Sequence, residues 1–533
     1  MPLMRNNYST LLMVLSLVAL ASNASVLADD QPQWGKAWSR NMVSAERGLP
    51  DSFDPKTGQN IKWAAKLGTE THSTPIIAGG RVYIGTNNGE PRDPKHKGDR
   101  GVLMCFDEQT GNLLWQLVVP KREEDPYFDW PKTGISSPVT VEDNRVYLVG
   151  NRNEVLCLDA CGMTNGNNGP FLDEAAHMSP PPNSGAPPKY VIGAEIAPEP
   201  HQPPPKTQQL QPGPTDADIL WTFDLVGEAG IWPHDGAHGS VLIHGDYVYV
   251  NTGNGVDNTH KRIRRPDAPS LIVLDKRTGK LIARDDERIG PNIFHAAWCS
   301  PSLAEVNGRP LIFFGGPNGV IYGFEPVQKA SANEVLKLKK VFQFDFDPTA
   351  PKENIHKFNG NRREGPSNIY GMPVFDQNRL YVAGGGDIWW GKNEAWLKCI
   401  DATMTGNITA KGLIWSYPLE KHAMSTPAIS DGLVFIADCG RRFHCLDAKS
   451  GQPVWTHDIK GEVWASPYVA DGKVYLGTRS GNFYVFAASR EKQVLATLEL
   501  GTPISATTTV ANGVLYVATM TDLYAVRRSP IAP

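Results

Sequence analysis

The chain has 533 residues, of which 41% are hydrophobic and 20% are charged, a balance that is typical of globular proteins and excludes a wholly disordered chain. Its 52 lysine and arginine residues face 56 aspartate and glutamate residues, and the net charge of −4 argues against nucleic-acid binding through bulk electrostatics. At roughly 150 residues per domain, the length suggests three or four domains. Large all-β folds are an exception, because a single such domain can be much longer. The 51 glycines and 43 prolines favour such a fold, because it needs many turns.

Residues 1–28 are predicted to form a secretory signal peptide. Arg5 supplies the positive end, Leu11 to Leu20 the apolar core, and Val26-Leu27-Ala28 the cleavage site. An uncleaved anchor is disfavoured, because the apolar run is about half of the roughly 20 residues that a membrane-spanning helix needs. No later run is long enough to span a bilayer. We therefore expect an exported protein, periplasmic or extracellular, in which residues 29–60 lead into the folded part.

A repeat of about 40 residues runs along the rest of the chain. Ser425-Thr426-Pro427 recurs 40 residues later as Ala465-Ser466-Pro467, and Ala506-Thr507-Thr508 follows after another 41. Each unit combines a strand, an Asp-Gly type turn, a strand with a Val-Tyr pair, a strand that ends in Leu-Asp, and a Thr-Gly-x-x-x-Trp motif. The aromatic residue of the second strand identifies eight units: Tyr83, Tyr147, Tyr249, Phe313, Tyr381, Phe435, Tyr475 and Tyr516. Residues 61–533 are therefore predicted to form an all-β, eight-bladed β-propeller of four-stranded antiparallel blades.

The two chain ends are predicted to pair and close this ring. The last unit ends at Leu523-Tyr524-Ala525-Val526 without a Thr-Gly-x-x-x-Trp motif, whereas Ile61-Lys62-Trp63 precedes the first unit. The N-terminal side therefore supplies the outer strand of the last blade. In other units tryptophans hold the equivalent outer position, where we expect them to pack between blades: Trp115, Trp221, Trp415 and Trp455.

Four of the seven cysteines share one position, directly before Leu-Asp or a variant of it: Cys105, Cys157, Cys399 and Cys445. Free cysteine behaves as a small buried hydrophobe, so we expect these residues to pack in the blades. Export permits disulfides, and Cys439 and Cys445 flank one hairpin where a pair could form.

The repeats resemble those of the pyrroloquinoline-quinone (PQQ) repeat family. The matching residues are Val434-Phe435-Ile436-Ala437, Cys445-Leu446-Asp447 and Ser450-Gly451-Gln452-Pro453-Val454-Trp455, with equivalents in most blades between residues 61 and 526. The resemblance implies an eight-bladed propeller. It leaves the function open, because the family contains quinone-dependent alcohol dehydrogenases and also non-catalytic assembly scaffolds of bacterial outer membranes.

The chain departs from both branches of that family. It lacks the adjacent cysteine pair of the dehydrogenases and the haem-attachment motif Cys-x-x-Cys-His. The calcium ligands of the dehydrogenases cannot be placed on it residue by residue. It also lacks the lipid-bearing cysteine of the scaffold lipoproteins. PQQ with calcium is therefore a hypothesis that the resemblance raises, and no cofactor is assigned.

The long loops fall on one face of the predicted propeller, which we call the loop-rich face. They connect the second and third strands near residues 86–101, 253–270 and 384–396, and successive blades near residues 116–134, 225–238, 285–297 and 343–369. The tryptophans of this face are Trp130, Trp232, Trp298, Trp389, Trp390 and Trp464, and its arginines are Arg262, Arg264, Arg265, Arg362, Arg363, Arg441, Arg442 and Arg479. Arginine forks bind anions and tryptophan offers a stacking plane, which suits an anionic planar cofactor or an acidic sugar chain. The alternative is that these arginines pair with nearby acids, such as Asp93, Glu123, Asp267 and Glu364.

The residues that enter the innermost strands are expected to ring the mouth of the central channel: His72, Ile135, His238, Trp298, Tyr370, Met424, Trp464 and Ser505. From this ring and the loop arginines, the predicted cofactor- or ligand-binding residues are His72, His238, Trp298, Tyr370, Trp464, Arg362 and Arg441. Three more histidines lie close by in sequence: His234, His295 and His422. Histidine suits proton transfer or metal binding. We interpret these side chains as hydrogen-bonding groups instead, and assign neither a catalytic residue nor a metal ligand.

Residues 171–217 form a proline-rich insertion in blade two, with Pro180-Pro181-Pro182 and Pro203-Pro204-Pro205. The insertion falls between the third and fourth strands, so it is predicted to project from the face opposite the long loops as extended chain. A passive insertion and a tether or docking segment both remain open.

These observations predict an exported binding or scaffold protein that uses the loop-rich face for an acidic glycan, a small anion or a cell-envelope protein. The alternative is a PQQ- and calcium-dependent dehydrogenase of alcohols or sugars, in which the quinone stacks on a channel tryptophan. A convergent carboxylate–amide cluster beneath Trp298 or Trp464 would favour the enzyme. An open or loop-plugged channel would favour the binding protein.

Overall fold

The computed structural model describes residues 29–122, 124–125, 127–181, 202–236 and 238–529. Within these ranges the strands form eight sheets whose four main strands are antiparallel, and two sheets carry a fifth short strand. The predicted all-β, eight-bladed propeller is confirmed. The predicted signal peptide and residues 182–201 of the insertion lie outside the described residues. Within the described ranges, no helix is both long and apolar enough to cross a membrane.

The first four blades run from an inner to an outer strand in chain order. Blade one contains β2 (Ile76–Ala78), β3 (Arg81–Asn87), β4 (Arg100–Asp107) and β5 (Leu113–Pro120). Blade two contains β6 (Thr140–Glu142), β7 (Arg145–Val149), β8 (Glu154–Asp159) and β9 (Ile219–Asp224). Blade three contains β10 (Leu242–His244), β11 (Tyr247–Asn251), β12 (Leu271–Asp275), β13 (Leu281–Arg284) and the parallel β17 (Leu336–Lys337). Blade four contains β14 (Ser302–Val306), β15 (Arg309–Gly315), β16 (Val320–Phe324), β18 (Lys340–Asp345) and the parallel β22 (Gly406–Asn407).

The remaining blades follow the same order, except that the outer strand of blade eight comes from the other end of the chain. Blade five contains β19 (Val374–Asp376), β20 (Arg379–Gly385), β21 (Ala395–Asp401) and β23 (Leu413–Leu419). Blade six contains β24 (Ala428–Ser430), β25 (Leu433–Ala437), β26 (Arg442–Asp447) and β27 (Pro453–Asp458). Blade seven contains β28 (Tyr468–Ala470), β29 (Lys473–Gly477), β30 (Asn482–Ala487) and β31 (Val494–Glu499). Blade eight contains β32 (Thr509–Ala511), β33 (Val514–Ala518), β34 (Asp522–Val526) and β1 (Ile61–Lys66). The helical segments are short: α1 (Glu174–Met178), α2 (Leu225–Glu228) and the 3-10 turns Gly162–Asn165, Lys206–Gln208, Gly290–Asn292 and Ile355–Phe358.

The ring closes as the sequence predicts. β1 pairs antiparallel with β34, with Trp63 opposite Ala525 and Lys66 opposite Asp522. The Nζ atom of Lys66 also lies 2.7 Å from Oδ1 of Asp522. The two ends of the described propeller therefore share one sheet, which leaves the ring without an open seam.

Outer-strand tryptophans hold neighbouring blades together. Each donates its indole N–H to a backbone carbonyl in a turn of the next blade: Trp63 to Glu108 (2.9 Å), Trp115 to Ala160 (2.9 Å), Trp221 to Lys276 (3.1 Å), Trp415 to Ala448 (3.1 Å) and Trp455 to Ser489 (2.9 Å). The glycine of the repeat motif lies against these rings. Gly451 has a φ of +70°, and a Cβ atom there would lie 2.5 Å from the ring of Trp415. Glycine alone both adopts this backbone readily and leaves room for the ring.

The four cysteines that share a repeat position are buried on the third strand of their blades, as expected: Cys105, Cys157, Cys399 and Cys445. All seven cysteines are free, so Cys439 and Cys445 do not form the pair that their hairpin suggested.

The lead-in segment fills the central channel. Innermost strands donate backbone N–H groups to it: Ile77 to Gln31, Val141 to Pro32, Leu303 to Trp38 and Val469 to Met42. Arg40 is fully buried, and its guanidinium donates to backbone carbonyls of the lead-in and of blades three and four: those of Trp34, Ser240, Val241 and Pro301. The carboxylates of Asp30 and Glu46 accept from backbone N–H groups in turns on the face opposite the long loops. The segment therefore enters and leaves the channel at that opposite face.

Two described parts of the proline-rich insertion, residues 174–179 and 210–217, pack against the propeller instead of projecting from it. Gln116 of β5 exchanges backbone hydrogen bonds with Thr215 and Ala217, which covers the outer edge of blade one. His177 of α1 lies 2.8 Å from the buried carboxylate of Glu154 on β8. For these residues the expectation of a projecting segment was wrong. An exposed sheet edge and a buried carboxylate both gain from a covering segment.

Candidate functional site

A cavity of about 720 Å³, measured with its open mouth, lies at the end of the channel on the loop-rich face, and we call it the axial pocket. Its lining includes seven of the eight residues predicted to ring the channel: His72, His238, Trp298, Tyr370, Met424, Trp464 and Ser505. The eighth, Ile135, is 1% exposed and packs inside blades one and two, and its neighbour Ser136 faces the pocket instead. The ring residues converge because each precedes an innermost strand, and that register repeats around the propeller.

The lead-in segment supplies one wall of the axial pocket. Trp34 lines it beside Trp130, Thr74, Thr133 and Pro138. Trp34 lies in the segment that fills the channel, so the pocket is closed on the channel side. Trp34 was not predicted as a pocket residue, because the lead-in has no counterpart in the repeats.

Trp464 offers the best-defined aromatic plane of the pocket. The ring of His72 stacks on it at 5.7 Å and 29°, and the guanidinium of Arg479 lies 3.9 Å from its centroid. Arg479 also donates to Oγ of Ser505 at 2.8 Å. Burial lowers the pKa of His72 below its ordinary value, so this imidazole is neutral at pH 7. Arg479 therefore supplies positive charge at this end of the pocket.

A loop of blade five, residues 386–394, reaches across the mouth of the pocket. Its Trp389 makes edge-to-face contacts with Trp130 at 6.4 Å, Trp298 at 5.5 Å and Trp464 at 5.9 Å. These partners come from three other parts of the ring. The mouth is therefore framed by aromatic rings, of which Trp130 is 38% exposed.

Behind Trp298, a buried carboxylate organises the loops. Oδ2 of Asp387 lies 2.9 Å from Nδ1 of His295 and accepts the hydroxyl of Tyr370, while Oδ1 accepts the backbone N–H groups of Trp389 and Trp390. Burial opposes the charge of Asp387, but His295 outweighs it and holds the pKa of this carboxyl well below its usual range. Burial likewise opposes a charge on His295, whose pKa is nonetheless raised by Asp387. This carboxylate–imidazole contact fixes the orientation of the His295 ring.

Two further histidines converge on the free side of His295. Nε2 of His234 lies 3.2 Å from Nε2 of His260, and Oδ2 of Asp235 lies 3.6 Å from Nε2 of both His234 and His295. One ring nitrogen from each of the three histidines falls within 4.8 Å of the others. Burial lowers the pKa of His234 and of His260 below the ordinary value. We call His234, His260, His295 and Asp235 the histidine cluster.

The structure divides the predicted binding residues into two groups. His72, His238, Trp298, Tyr370 and Trp464 share the axial pocket. Arg362 instead donates to the carbonyls of Ile388, Trp389 and Gly391, so it holds the 386–394 loop and lines a neighbouring cavity. Arg441 is exposed in a turn at the start of β26 and lines neither cavity.

Some arginines of the loop-rich face pair with nearby acidic residues, which was the alternative to a ligand-binding role. Nε of Arg264 lies 2.9 Å from Asp257, and Arg442 binds Glu420 and Asp458, each at 3.0 Å. Arg479 lies on the ring of the pocket residue Trp464, although it does not itself line the axial pocket.

His260 and Asp387 were not among the site residues predicted from the sequence. Both lie in long loops that were predicted, at 253–270 and 384–396, but neither belongs to a motif with known ligand spacing. The length of their loops was the one sequence feature that pointed to these two residues. Only the ring geometry brings loops of blades three, four and five together.

The axial pocket suits the ring of PQQ better than the groups behind Trp298 suit calcium. The tryptophan planes of the axial pocket suit a flat ring. Calcium takes about six to eight oxygen ligands, whereas the groups behind Trp298 are mainly imidazoles, and both oxygens of Asp387 already accept hydrogen bonds. Behind Trp298 the carboxylates of Asp235 and Asp387 lie against the imidazole of His295, and the lead-in segment plugs the channel.

Comparison with known proteins identifies similar folds. A PQQ-repeat family model described as outer membrane protein assembly factor BamB matches residues 99–162 and 385–529. The crystal structure of BamB from Moraxella catarrhalis has a TM-score of 0.52 at 13% identity, covering 87% of this chain and 99% of that chain. No curated protein sequence matches the chain.

Two enzymes give similar scores. A europium-containing methanol dehydrogenase has a TM-score of 0.54 at 13% identity, covering 92% of this chain and 90% of that chain. The quinohemoprotein alcohol dehydrogenase ADHIIG from Pseudomonas putida HK5 has a TM-score of 0.54 at 12% identity, covering 95% and 81%. At these identities the likeness establishes the fold, and function must be argued from the site.

Proposed function

Because this chain is a PQQ-repeat β-propeller, a fold shared by scaffolds and enzymes, we propose its function from the axial pocket: it is an exported binding protein that holds an acidic sugar chain there. One observation carries the proposal. The indole N–H groups of three pocket tryptophans, Trp34, Trp298 and Trp464, are buried and have no hydrogen-bond partner among the described residues. Buried donors without acceptors are costly, so a ligand rich in oxygen acceptors would be stabilised when the indole rings turn their N–H groups toward it.

The remaining lining supports a sugar over a purely aromatic ligand. The side chains of Thr74, Thr133, Ser136 and Ser505 line the pocket together with the aromatic rings. Sugar rings pair apolar C–H faces with polar hydroxyl edges, which suits a pocket lined by both tryptophans and hydroxyl side chains. Arg479 adds positive charge beside Trp464, which favours a carboxylate on the sugar.

Calorimetric titration with trigalacturonate and with neutral cellotriose tests the proposal. We expect saturable binding of trigalacturonate and weaker binding of cellotriose. Trp464→Ala should weaken trigalacturonate binding by at least tenfold, because it removes the stacking plane. Trp38→Ala is the matched control, since Trp38 is 50% exposed and lies outside the pocket. The absence of saturable binding of either sugar at millimolar concentration would reject an acidic glycan as ligand.

The alternative function is a quinone-dependent dehydrogenase, favoured by the same tryptophan planes. In that case the quinone would supply the redox chemistry, while Trp464 and His72 would orient its ring. Titration with PQQ, with and without calcium, decides between the two proposals. Tight, calcium-dependent binding of PQQ would reject the sugar-binding function in favour of the dehydrogenase.

Export is part of the proposal and has a separate test. Expression of the full chain with its N-terminus intact should yield protein outside the cytoplasm whose first residue is Asp29. A cytoplasmic product that begins at Met1 would overturn this part.

A further inference from the structure

We propose that His234, His260 and His295, with Asp235, bind one divalent first-row transition metal ion such as zinc behind the Trp298 wall of the axial pocket. This inference does not depend on which ligand the pocket binds. It concerns four side chains that come from three loops around blade three.

Three of the distances within the histidine cluster are close to those between ligands of one ion. Two ligands at 2.0–2.1 Å in a tetrahedral arrangement lie about 3.3 Å apart. Nε2 of His234 and Nε2 of His260 are 3.2 Å apart, and Oδ2 of Asp235 is 3.6 Å from Nε2 of both His234 and His295. The most widely separated histidine nitrogens lie within 4.8 Å of each other, so binding of one ion would draw these donors together by up to about 1.5 Å.

His295 provides an independent indication of a missing ligand. Its Nδ1 is bound by Asp387, and its Nε2 points into the cluster, buried and without a hydrogen-bond partner among the described residues. His295 is 2% exposed, so water does not satisfy this nitrogen from outside. A carboxylate on one imidazole nitrogen with the other nitrogen free is the arrangement that orients histidine toward a metal.

The other ligands are also held in place. The ring of His234 stacks on Tyr127 at 5.6 Å and 7°, and the ring of His260 packs on Trp390 at 4.7 Å. Asp235 has a φ of +59°, a left-handed backbone that aspartate adopts more readily than most residues. The loops therefore present the four donors to one point.

The donor set identifies the class of ion. Imidazole suits zinc, copper, iron and nickel, whereas calcium and magnesium prefer oxygen ligands. Three imidazoles and one carboxylate supply four protein ligands, which is enough for a closed tetrahedral zinc site without an open position. The ion would hold together the loops that begin at β9, β11 and β13 and so support the wall that contains Trp298.

Titration of metal-stripped full-length protein with cobalt(II) tests this inference without any sugar or quinone. We expect one cobalt per chain with the visible absorption of tetrahedral cobalt, displacement by zinc, and a higher Tm on metal addition. His260→Gln and Asp235→Asn should each weaken binding by at least tenfold. His260 is only partly buried, so its substitution should leave the far-UV circular dichroism of the propeller unchanged.

His457→Gln serves as the control, because His457 lies on β27, away from the histidine cluster. It should bind cobalt like the parent protein. Stoichiometric binding that survives both cluster substitutions, or the absence of tetrahedral cobalt in the parent protein, would overturn the proposal. Loss of binding in His457→Gln as well would also reject it, since the effect would then be unspecific.

Discussion

Oδ2 of Asp387 lies 2.9 Å from Nδ1 of His295, and this contact joins a loop of blade five to the loop that precedes blade four. The same carboxylate accepts the hydroxyl of Tyr370 and two backbone N–H groups. Asp387 therefore fixes a side chain of the axial pocket, a residue of the histidine cluster and the loop that carries Trp389. Three features of the site depend on one buried charge.

Substitution of this carboxylate should lower the free energy of unfolding more than removal of one of its hydrogen-bond partners. In Asp387→Asn one acceptor oxygen is lost and His295 loses its counter-ion, so we expect the free energy of unfolding to fall by about 3 kcal/mol. Tyr370→Phe removes one hydroxyl and leaves the His295 contact, so we expect about 1 kcal/mol. Urea unfolding followed by circular dichroism measures both. Equal losses in the two variants would contradict the central role of Asp387.

The glycine of the repeat motif should be irreplaceable where it meets a tryptophan. In Gly451→Ala the new methyl group must displace the Trp415 ring and also adopt a left-handed backbone, so we expect a loss of about 3 kcal/mol. Gly432→Ala is the matched control, because Gly432 has a φ of +74° with open space around it. That variant should lose about 1 kcal/mol, the backbone cost alone. Similar values from urea unfolding would show that the tryptophan contact adds nothing.

Acid should destabilise blade two through Glu154. Burial would raise the pKa of this carboxyl, but His177 and Arg152 lower it from 4.5 to about 2. Because the folded pKa lies below the unfolded one, the unfolded chain binds more protons between these values, and stability falls as the pH drops through this window. This shift of the Glu154 pKa is equivalent to about 3 kcal/mol of folding stability.

Urea unfolding between pH 6 and pH 3 checks this expectation. Glu154→Gln should be less stable than the parent protein at pH 6 and should lose less stability on acidification. Glu334→Gln, at an exposed position, should follow the parent profile. An unchanged pH dependence in Glu154→Gln would assign the acid sensitivity to other carboxylates.

The repeat made most of the fold predictable. Three features of the repeat each correspond to a contact between neighbouring strands or blades: the Val-Tyr aromatics, the Thr-Gly-x-x-x-Trp motif and the missing last strand. Local sequence was therefore sufficient to predict the blades and the closure of the ring. The same register placed His72, Trp298 and Trp464 at one pocket. These residues precede equivalent strands, and a regular ring converts equal register into spatial proximity.

The parts that could not be predicted are those outside the repeat. Trp34 reaches the pocket because the lead-in crosses the channel, and no pattern in residues 29–60 indicates that path. His260 and Asp387 meet His295 through loops whose conformations depend on one another. Arg362 resembled a ligand-binding arginine in sequence, but its guanidinium donates to three carbonyls of the 386–394 loop. Loop length located the site without specifying its chemistry.

Arg40 should be the residue that anchors the lead-in in the channel. It is fully buried and donates to backbone carbonyls of Trp34, Ser240, Val241 and Pro301, and burial lowers its pKa to about 9. In Arg40→Gln a shorter side chain leaves several of these buried carbonyls without a donor, so we expect unfolding to become easier by about 3 kcal/mol. Arg47→Gln, at an exposed position of the same segment, should change stability by less than about 0.5 kcal/mol. Limited proteolysis should cleave the lead-in faster in Arg40→Gln than in Arg47→Gln, because a loosened segment leaves the channel more often. If both variants resist proteolysis equally, the backbone pairing with the innermost strands, and not Arg40, holds the plug.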